Sequence, residues 1–240
     1  MKIVIINGSL RKNGATAKIL GEFAKNLSEK PDVEVTNIYL TDLRLNFCQG
    51  CNQCYKNGVC HIEDDADMLS ELISNADGVI IGTSNMVGNV TGQLKTFIDR
   101  GHFVIEQLLK DTYTIGVVTY ENAGGGAALH VLKKLLVFSG AKGFDKLLVK
   151  LPFNSDPFVM QKVIPTIAKK SEKLYNSIQK KQSTPPITKI MQTIIFNIGI
   201  KPFVLKKGEA MSGVLTHWKK RGIIVRADSR EMLETPQFRN

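Results

Sequence analysis

The chain has 240 residues, 43% hydrophobic and 22% charged, which excludes a disordered or fibrous protein. Its formal net charge of +10 is unevenly spread: residues 1–150 hold 16 basic and 16 acidic side chains, residues 151–240 hold 16 and 6. A neutral core followed by a basic segment with a different task is expected, and no run reaches the roughly 18 apolar residues that a membrane-spanning helix needs.

The elements follow from the apolar period. Lys2–Ile6 is a short continuous apolar run that stops at Asn7-Gly8, as a strand buried on both faces would. Met1–Gly8 is too short for a signal peptide, so a cytoplasmic location is expected. Ala15–Ser28 places Ile19, Leu20, Phe23, Ala24 and Leu27 at helical spacing. Val33–Leu40 is rich in strand formers. Asp65–Asn75 is helical, with Asp64, Asp65 and Asp67 at its start, where they favour the helix dipole. Val79–Gly82 reads as a buried strand, Thr91–Leu109 as helical material broken at Gly101, and Thr112–Thr119 as a third buried strand. Ala127–Ser139 is a helix and Phe144–Val149 the last strand. Five strands separated by helices predict right-handed crossovers and a parallel sheet, with the flavodoxin-like order 2-1-3-4-5 as the natural candidate. Ligands of that fold bind beyond the carboxyl ends of the strands, so loops 7–16, 41–64, 83–92 and 120–126 should carry function.

After residue 150 the alternation stops. Phe158–Ser177 is helical, and Pro165 implies a late start or a kink. Gln182–Pro186 is a linker by composition. The predicted division is therefore 1–181, a flavodoxin-like domain with a Cys-rich loop at 46–64, and 182–240, a basic extension. The extension's apolar stretch Ile190–Ile200 should pack on the domain or on a neighbouring subunit.

The first loop, Asn7 to Thr16, enters a helix whose free backbone N–H groups suit phosphate. Ser9 and Thr16 add hydroxyls, Arg11 a planar fork of donors, and Gly8 and Gly14 close backbone approach. It matches neither the P-loop nor G-x-G-x-x-G, so the phosphate is not expected to be that of ATP. A polar turn that only caps the helix is the plainer alternative. A phospho-receiver domain is excluded, because the third strand ends in Gly82-Thr83-Ser84-Asn85 with no Asp.

Three ordered motifs resemble the NADPH-dependent FMN reductase family. They are Gly8-Ser9-x-Arg11-x-Asn13-Gly14-x-Thr16, Gly82–Lys95 followed by Phe97-Ile98-Asp99-Arg100, and Thr119-Tyr120-Glu121-Asn122-Ala123-Gly124-Gly125-Gly126. The resemblance covers roughly residues 1–180. It implies FMN, with its phosphate held by Ser9, Arg11, Asn13, Gly14, Ala15 and Thr16. The ring edge would meet Thr83, Ser84, Asn85, Met86, Val87, Gly88 and Asn89, and also Thr119, Tyr120, Glu121, Gly124 and Gly125. Backbone N–H groups at the ring carbonyls and N5 would tune the flavin. The chain departs from the family in having Thr83-Ser84 and Met86 where Ser-Pro and an aromatic residue are common. A thioether packs against an aromatic edge in its own way.

All four cysteines fall in one run, Cys48-x2-Cys51-x2-Cys54-x5-Cys60, too compact for a useful disulfide. The spacing resembles bacterial ferredoxin runs and, within the same family, the iron–sulfur flavoproteins, which implies a [4Fe–4S] cluster on Cys48, Cys51, Cys54 and Cys60. Gln49-Gly50 and Asn57-Gly58 supply the tight turns. Zinc, redox-active thiols and metal-free cysteines are the alternatives, although structural zinc more often uses two spaced pairs.

His61, next to Cys60, reads as a ligand or hydrogen-bond donor in the cysteine region or, more plainly, as a solvated loop histidine. His102, His130 and His217 look isolated, Asp99-Arg100 look like helix-end charges, and Lys219–Arg221 a solvated basic face. No aromatic interleaving points to nucleic acid. The expectation is an FMN-dependent oxidoreductase exchanging electrons between FMN and a [4Fe–4S] cluster. NAD(P)H, ferredoxin, a quinone or free flavin would be its redox partner, and the resemblance implies a homodimer or homotetramer. The alternatives are an NAD(P)H-dependent FMN or quinone reductase without a cluster, and a zinc-stabilised, non-enzymatic interaction module.

Overall fold

A computed structural model of the protein describes residues 1–224. The end of the predicted extension, 225–240, lies outside the described residues. Five parallel strands form one sheet in the order β2-β1-β3-β4-β5: β1 (Lys2–Asn7), β2 (Glu34–Tyr39), β3 (Gly78–Ser84), β4 (Tyr113–Tyr120) and β5 (Gly143–Lys150). The predicted flavodoxin-like order is the observed one. Ile5 pairs with Asn37 on one side and Ile80 on the other, which sets β1 between β2 and β3.

Alternation along each strand feeds two cores. Ile3 and Ile5 face α1 (Ala15–Ser28) and α6 (Val163–Gln179), where Ile19, Phe23, Ile167 and Leu174 close the layer. Val4 and Ile6 face the opposite layer, formed by α3 (Ala66–Ser74), α4 (Gly92–Arg100) and α5 (Gly125–Phe138). α4 starts at Thr91, whose hydroxyl accepts from Leu94 N, and it stops at Gly101. A Cβ at Gly101 would run into the Phe103 ring. Beyond it, residues 102–112 form turns rather than continuing the helix to Leu109. Pro165 sits in the first turn of α6, where its missing N–H leaves no ladder bond unmade. Of the two readings of Pro165, the late start is the one seen.

The extension continues as α7 (Pro186–Ile194), a π-helical turn (Ile195–Ile200), α8 (Lys201–Lys207) and α9 (Ser212–Lys220). α2 (Gln53–Asn57) is a single short helix inside the cysteine loop. Gln192 Nε2 donates to Val137 O at 2.8 Å and Ala141 O at 2.9 Å, which staples α7 to the end of α5. The apolar stretch 190–200 divides. Ile195, Phe196 and Ile200 join a third core around Trp218, together with Tyr55, Val104 and Ile105. Ile190, Ile194 and Ile198 stay exposed.

The basic cluster is corrected at one position. Lys219 and Lys220 are exposed, but Arg221 is half-buried and donates to Leu108 O at 2.8 Å and Ser74 O at 3.2 Å. Five delocalised N–H donors let an arginine satisfy several carbonyls at once, so it serves here as a splice between the extension and the sheet domain.

Candidate functional site

Parallel strands send every β-to-α loop to one sheet edge, so loops 7–16, 40–65, 84–92 and 120–125 share it. The main chain of the first loop is tied down at Gly8: Gly8 N donates to Gly82 O at 2.8 Å, and the Thr91 hydroxyl donates to Gly8 O. A Cβ at Gly8 would come within 3.0 Å of Leu94, so the loop runs close over α4. α1 starts at Gly14 with no side-chain cap, and the buried Asn7 Nδ2 has no partner among the described residues. Uncapped helix N–H groups and an orphaned donor fit an anionic ligand.

The first-loop side chains divide. Arg11 and Asn13 are exposed, whereas Ser9 and Thr16 are buried. Thr16 Oγ1 meets Thr119 Oγ1 at 2.8 Å, which joins the first and third loops beneath the surface. Arg11 stacks over the Phe153 ring at 4.6 Å and donates to Asn154 Oδ1. Sequence reasoning missed Phe153 and Asn154, which follow β5 and carry no local motif.

The second and third loops stand back to back. Asn85 N donates to Thr119 O at 2.8 Å and Asn85 Nδ2 to Ala123 O at 2.9 Å, while Asn85 Oδ1 accepts from Gly88 N. Met86 and Asn89 close a tight turn with both backbone bonds, and its tip, Val87 and Gly88, has φ of +53° and +76°. A β-branched residue in the left-handed region is rare, and Val87 is fully exposed there. Gly124, at φ +83°, brings the third loop onto Gly88: a Cβ at 124 would stand 3.0 Å from the Gly88 Cα. Gly125 supports the Tyr120 ring in the same way. Thr83 is buried, and its hydroxyl oxygen accepts from Thr91 N at 3.2 Å, so it braces the loop from inside. Ser84 is half-buried and Met86 exposed. Glu121 is exposed, and its Oε1 accepts from Phe153 N at 3.1 Å.

The cysteine loop is built differently, from side chains. All four cysteines are free thiols; Cys48 and Cys51 are exposed, and Cys54 and Cys60 half-buried. The two expected turns are present, with Gly50 at φ +66° and Gly58 at +80°. Arg100 closes the neck. Its Nη1 donates to Asn46 O at 2.8 Å and Asp64 Oδ2 at 2.7 Å, and its Nη2 to Ile62 O at 3.4 Å and Asp64 Oδ1 at 2.9 Å. The two side chains are 1% and 0% exposed. Arg100 and Asp64 are therefore a buried bidentate pair, in place of a helix-end charge and a helix-dipole acid. Burial pushes the Asp64 carboxyl up, but the Arg100 hydrogen bonds, the Asn46 and Ala66 amides and the Arg100 charge outweigh it and lower it to about 2. Asp65 and Asp67 also turn back to the loop, accepting from Arg44 N and Cys60 N.

The histidines are corrected as well. Glu106, itself buried, lies 3.1 Å from His102 Nδ1 and 3.8 Å from His217 Nδ1. The His102 ring packs on Tyr55 at 5.3 Å and reaches the Cys54 thiol. Burial disfavours the charged His102, but the hydrogen bonds and charges of Cys54 and Glu106 overcome it and raise its pKa to about 10. Burial lowers His217, against the pull of Glu106. Two imidazoles thus flank one carboxylate, with opposite shifts. His61 Nδ1 lies 3.5 Å from Cys51 Sγ, so it too faces the cysteines and not only solvent. His102 and Glu106 are an i,i+4 pair, a local spacing that sequence reasoning passed over, whereas only the fold brings His217 to them. The donor set, four soft thiols flanked by Arg100 and His102, fits a thiolate-held centre chemically. Among the described residues, no three Cys, His, Asp or Glu side chains are gathered as a metal-binding group.

A family model described as NADPH-dependent FMN reductase matches residues 1–151. An iron–sulfur flavoprotein of Clostridioides difficile is 37% identical over 93% of this chain and 100% of its own length. Another, of Archaeoglobus fulgidus, is 30% identical over 66% of this chain and 78% of its own. Among solved structures, an FMN-dependent NADH-azoreductase of Bacillus anthracis in complex with FMN superposes with a TM-score of 0.59 at 14% identity, over 72% of this chain and 99% of that one. That likeness concerns the fold alone. A match through all five strands, joined to a relative aligned over its whole length, makes this chain a member of the NADPH-dependent FMN reductase family, on the branch whose relatives are named iron–sulfur flavoproteins, and a flavin-dependent oxidoreductase.

Proposed function

We propose that the protein binds FMN across loops 7–16, 84–89 and 119–125, and a [4Fe–4S] cluster on Cys48, Cys51, Cys54 and Cys60, and that it passes electrons between the two. The observation that carries this reading is the cysteine loop itself: four free thiols on the sheet edge of the flavin loops, above a neck locked by a buried Arg100–Asp64 pair. The names of the relatives support it.

When bound, FMN supplies hydride and electron acceptance and the cluster supplies single-electron exchange. The chain's part is to hold and tune. The uncapped start of α1, with Arg11 and Asn13 exposed beside it, holds the phosphate. The turn at Met86–Asn89 and the glycines at 124 and 125 bring backbone to the ring edge. Four thiolates carry a net negative charge, which Arg100 beside Cys60 and His102 beside Cys54 offset. No side chain is needed as a dedicated acid or base. NAD(P)H or an acidic carrier of the ferredoxin type delivers the electrons, the exposed lysines of the extension steering such a carrier, and two or four copies assemble.

The second reading is an NAD(P)H-dependent FMN or quinone reductase without a cluster. The ungathered sulfurs favour it. A non-enzymatic zinc module does not agree with membership of a family of flavin reductases. Absorbance of protein purified without oxygen decides. Flavin bands plus a broad brown component that bleaches on reduction support the first reading, and flavin bands alone the second. Cys54→Ser should remove the brown component and leave FMN bound; retention of the brown component would refute that ligand assignment.

A further inference from the structure

We propose that the C-terminal segment around α9 is the positioning element of the cysteine loop: it clamps α2, and with it Cys54, from outside the flavin domain. Three observations carry this. First, α9 meets α2 backbone to backbone. A Cβ at Gly213 would stand 2.7 Å from Gly58 Cα and 2.9 Å from Tyr55 O, so the approach tolerates only glycine. Second, polar contacts flank that point. Ser212 Oγ donates to Lys56 O at 2.9 Å, and Lys56 Nζ pairs with Glu209 at 2.8 Å. Third, the same segment is anchored to the turns after α4. Trp218 is 0% exposed and donates from Nε1 to Ile105 O at 2.9 Å, and His217 reaches the Glu106 that holds His102 against Tyr55 and Cys54.

α2 has little to hold it otherwise. It is five residues long, has no buried residue, has left-handed residues at both caps, and closes with one bond from Gly58 N to Cys54 O. A helix of that length does not persist alone in water. α9 supplies the surface it lacks, and Cys54 and Tyr55 are accordingly less exposed than Cys48 and Cys51. Gly213, Ser212, Trp218 and Glu106 are positioning residues; none is placed at the flavin loops.

The test uses the full chain in metal-free form, so it stands apart from the cluster assignment, on which only its last arm rests. Trp218 is the single tryptophan and reports docking of the segment by its emission. Gly213→Ala, and Gly213→Val where alanine is absorbed by a small shift, should expose Trp218. Maleimide alkylation of Cys54, read by peptide mass spectrometry, should rise roughly tenfold as α2 opens, with Cys48 and Cys51 as unchanged internal controls. Ser212→Ala should give a smaller rise in the same direction. A variant that exposes Trp218 and leaves the Cys54 rate unchanged overturns the proposal, and so does burial of Trp218 retained in both Gly213 variants. In protein purified without oxygen, Gly213→Ala should lower the iron content and leave FMN content equal to wild type. Wild type without iron would instead refute the cluster reading, with the alkylation result still deciding the clamp.

Discussion

The two halves of the site sit on one sheet edge and are held by different means. The loops proposed for FMN rest mainly on main-chain bonds, Gly8 to Gly82, Asn85 to Thr119, and Met86 with Asn89, with the Thr91 and Asn85 side chains in support. The cysteine loop rests largely on a few side chains, Arg100 and Asp64 at its neck, and on its flank on Ser212 and the close approach of Gly213 to Gly58. A main-chain lattice survives most substitutions and fails only where a glycine is needed. A side-chain lattice fails at single positions, and steeply where a charge is buried. The division would match the tasks proposed for them, since rigid amides suit a flat ring and separately held thiols suit a centre whose sulfurs must be brought together.

That contrast can be broken at graded strength. Arg100→Leu leaves Asp64 buried without its partner and should cost about 3–5 kcal/mol in urea unfolding, the largest single effect expected here; a cost below about 1 kcal/mol would mean that the pair does not lock the neck. The same pair sets a pH dependence. The Asp64 carboxyl lies at about 2 in the folded chain against an ordinary 3.8, so its contribution is complete above about pH 4 and is lost as pH falls toward 2. It should amount to about 2 kcal/mol. Urea midpoints between pH 5 and pH 2 should fall less in Arg100→Leu than in wild type. Gly124→Ala places a side chain at φ +83° against Gly88 and should cost about 1–2 kcal/mol, with weaker FMN retention on dialysis and an unaltered cysteine loop. Loss of iron before FMN in that variant would mean that the two lattices are coupled. At the small end, Lys95→Ala breaks only an exposed i,i+4 pair with Asp99, one residue from Arg100, and should change stability by about 0.5 kcal/mol or less.

Legibility in the sequence followed the same line. Strand order, the two core faces and the four loops follow from local period and turn chemistry, because Ile3–Ile6, Val79–Ile81 and Ile115–Val118 are continuous buried runs between breakers. The cysteine spacing and the turns at Gly50 and Gly58 are likewise local. Residues that act across long separations were misread. Arg100 looked like a helix-end charge, because Asp64 is far from it in sequence and near it only once β3 and α4 are in place. His217 looked isolated for the same reason, whereas the partner of His102, Glu106, is only four residues on and was passed over. Arg221 looked solvated, because nothing in Lys219-Lys220-Arg221 distinguishes the one residue whose fork finds three carbonyls. Thr83 and Thr16 carry hydroxyls that suit a ligand, yet both are turned inward, a distinction made by the fold and not by residue type.

The long separation between Trp218 and Ile105 also has a meaning in time. A chain made from its N-terminus has all five strands, and the Arg100–Asp64 lock, before α9 exists. On that order the cysteine loop would pass through a nascent stage with its neck shut and its flank open, and emergence of residues 212–218 from the ribosome would end it. Ribosome-bound chains stalled before Ser212 should be cut by protease near α2 but not within the sheet, and released full-length chains should resist at both. Protection of α2 in the shorter chains would mean that the loop closes without waiting for the rest of the polypeptide.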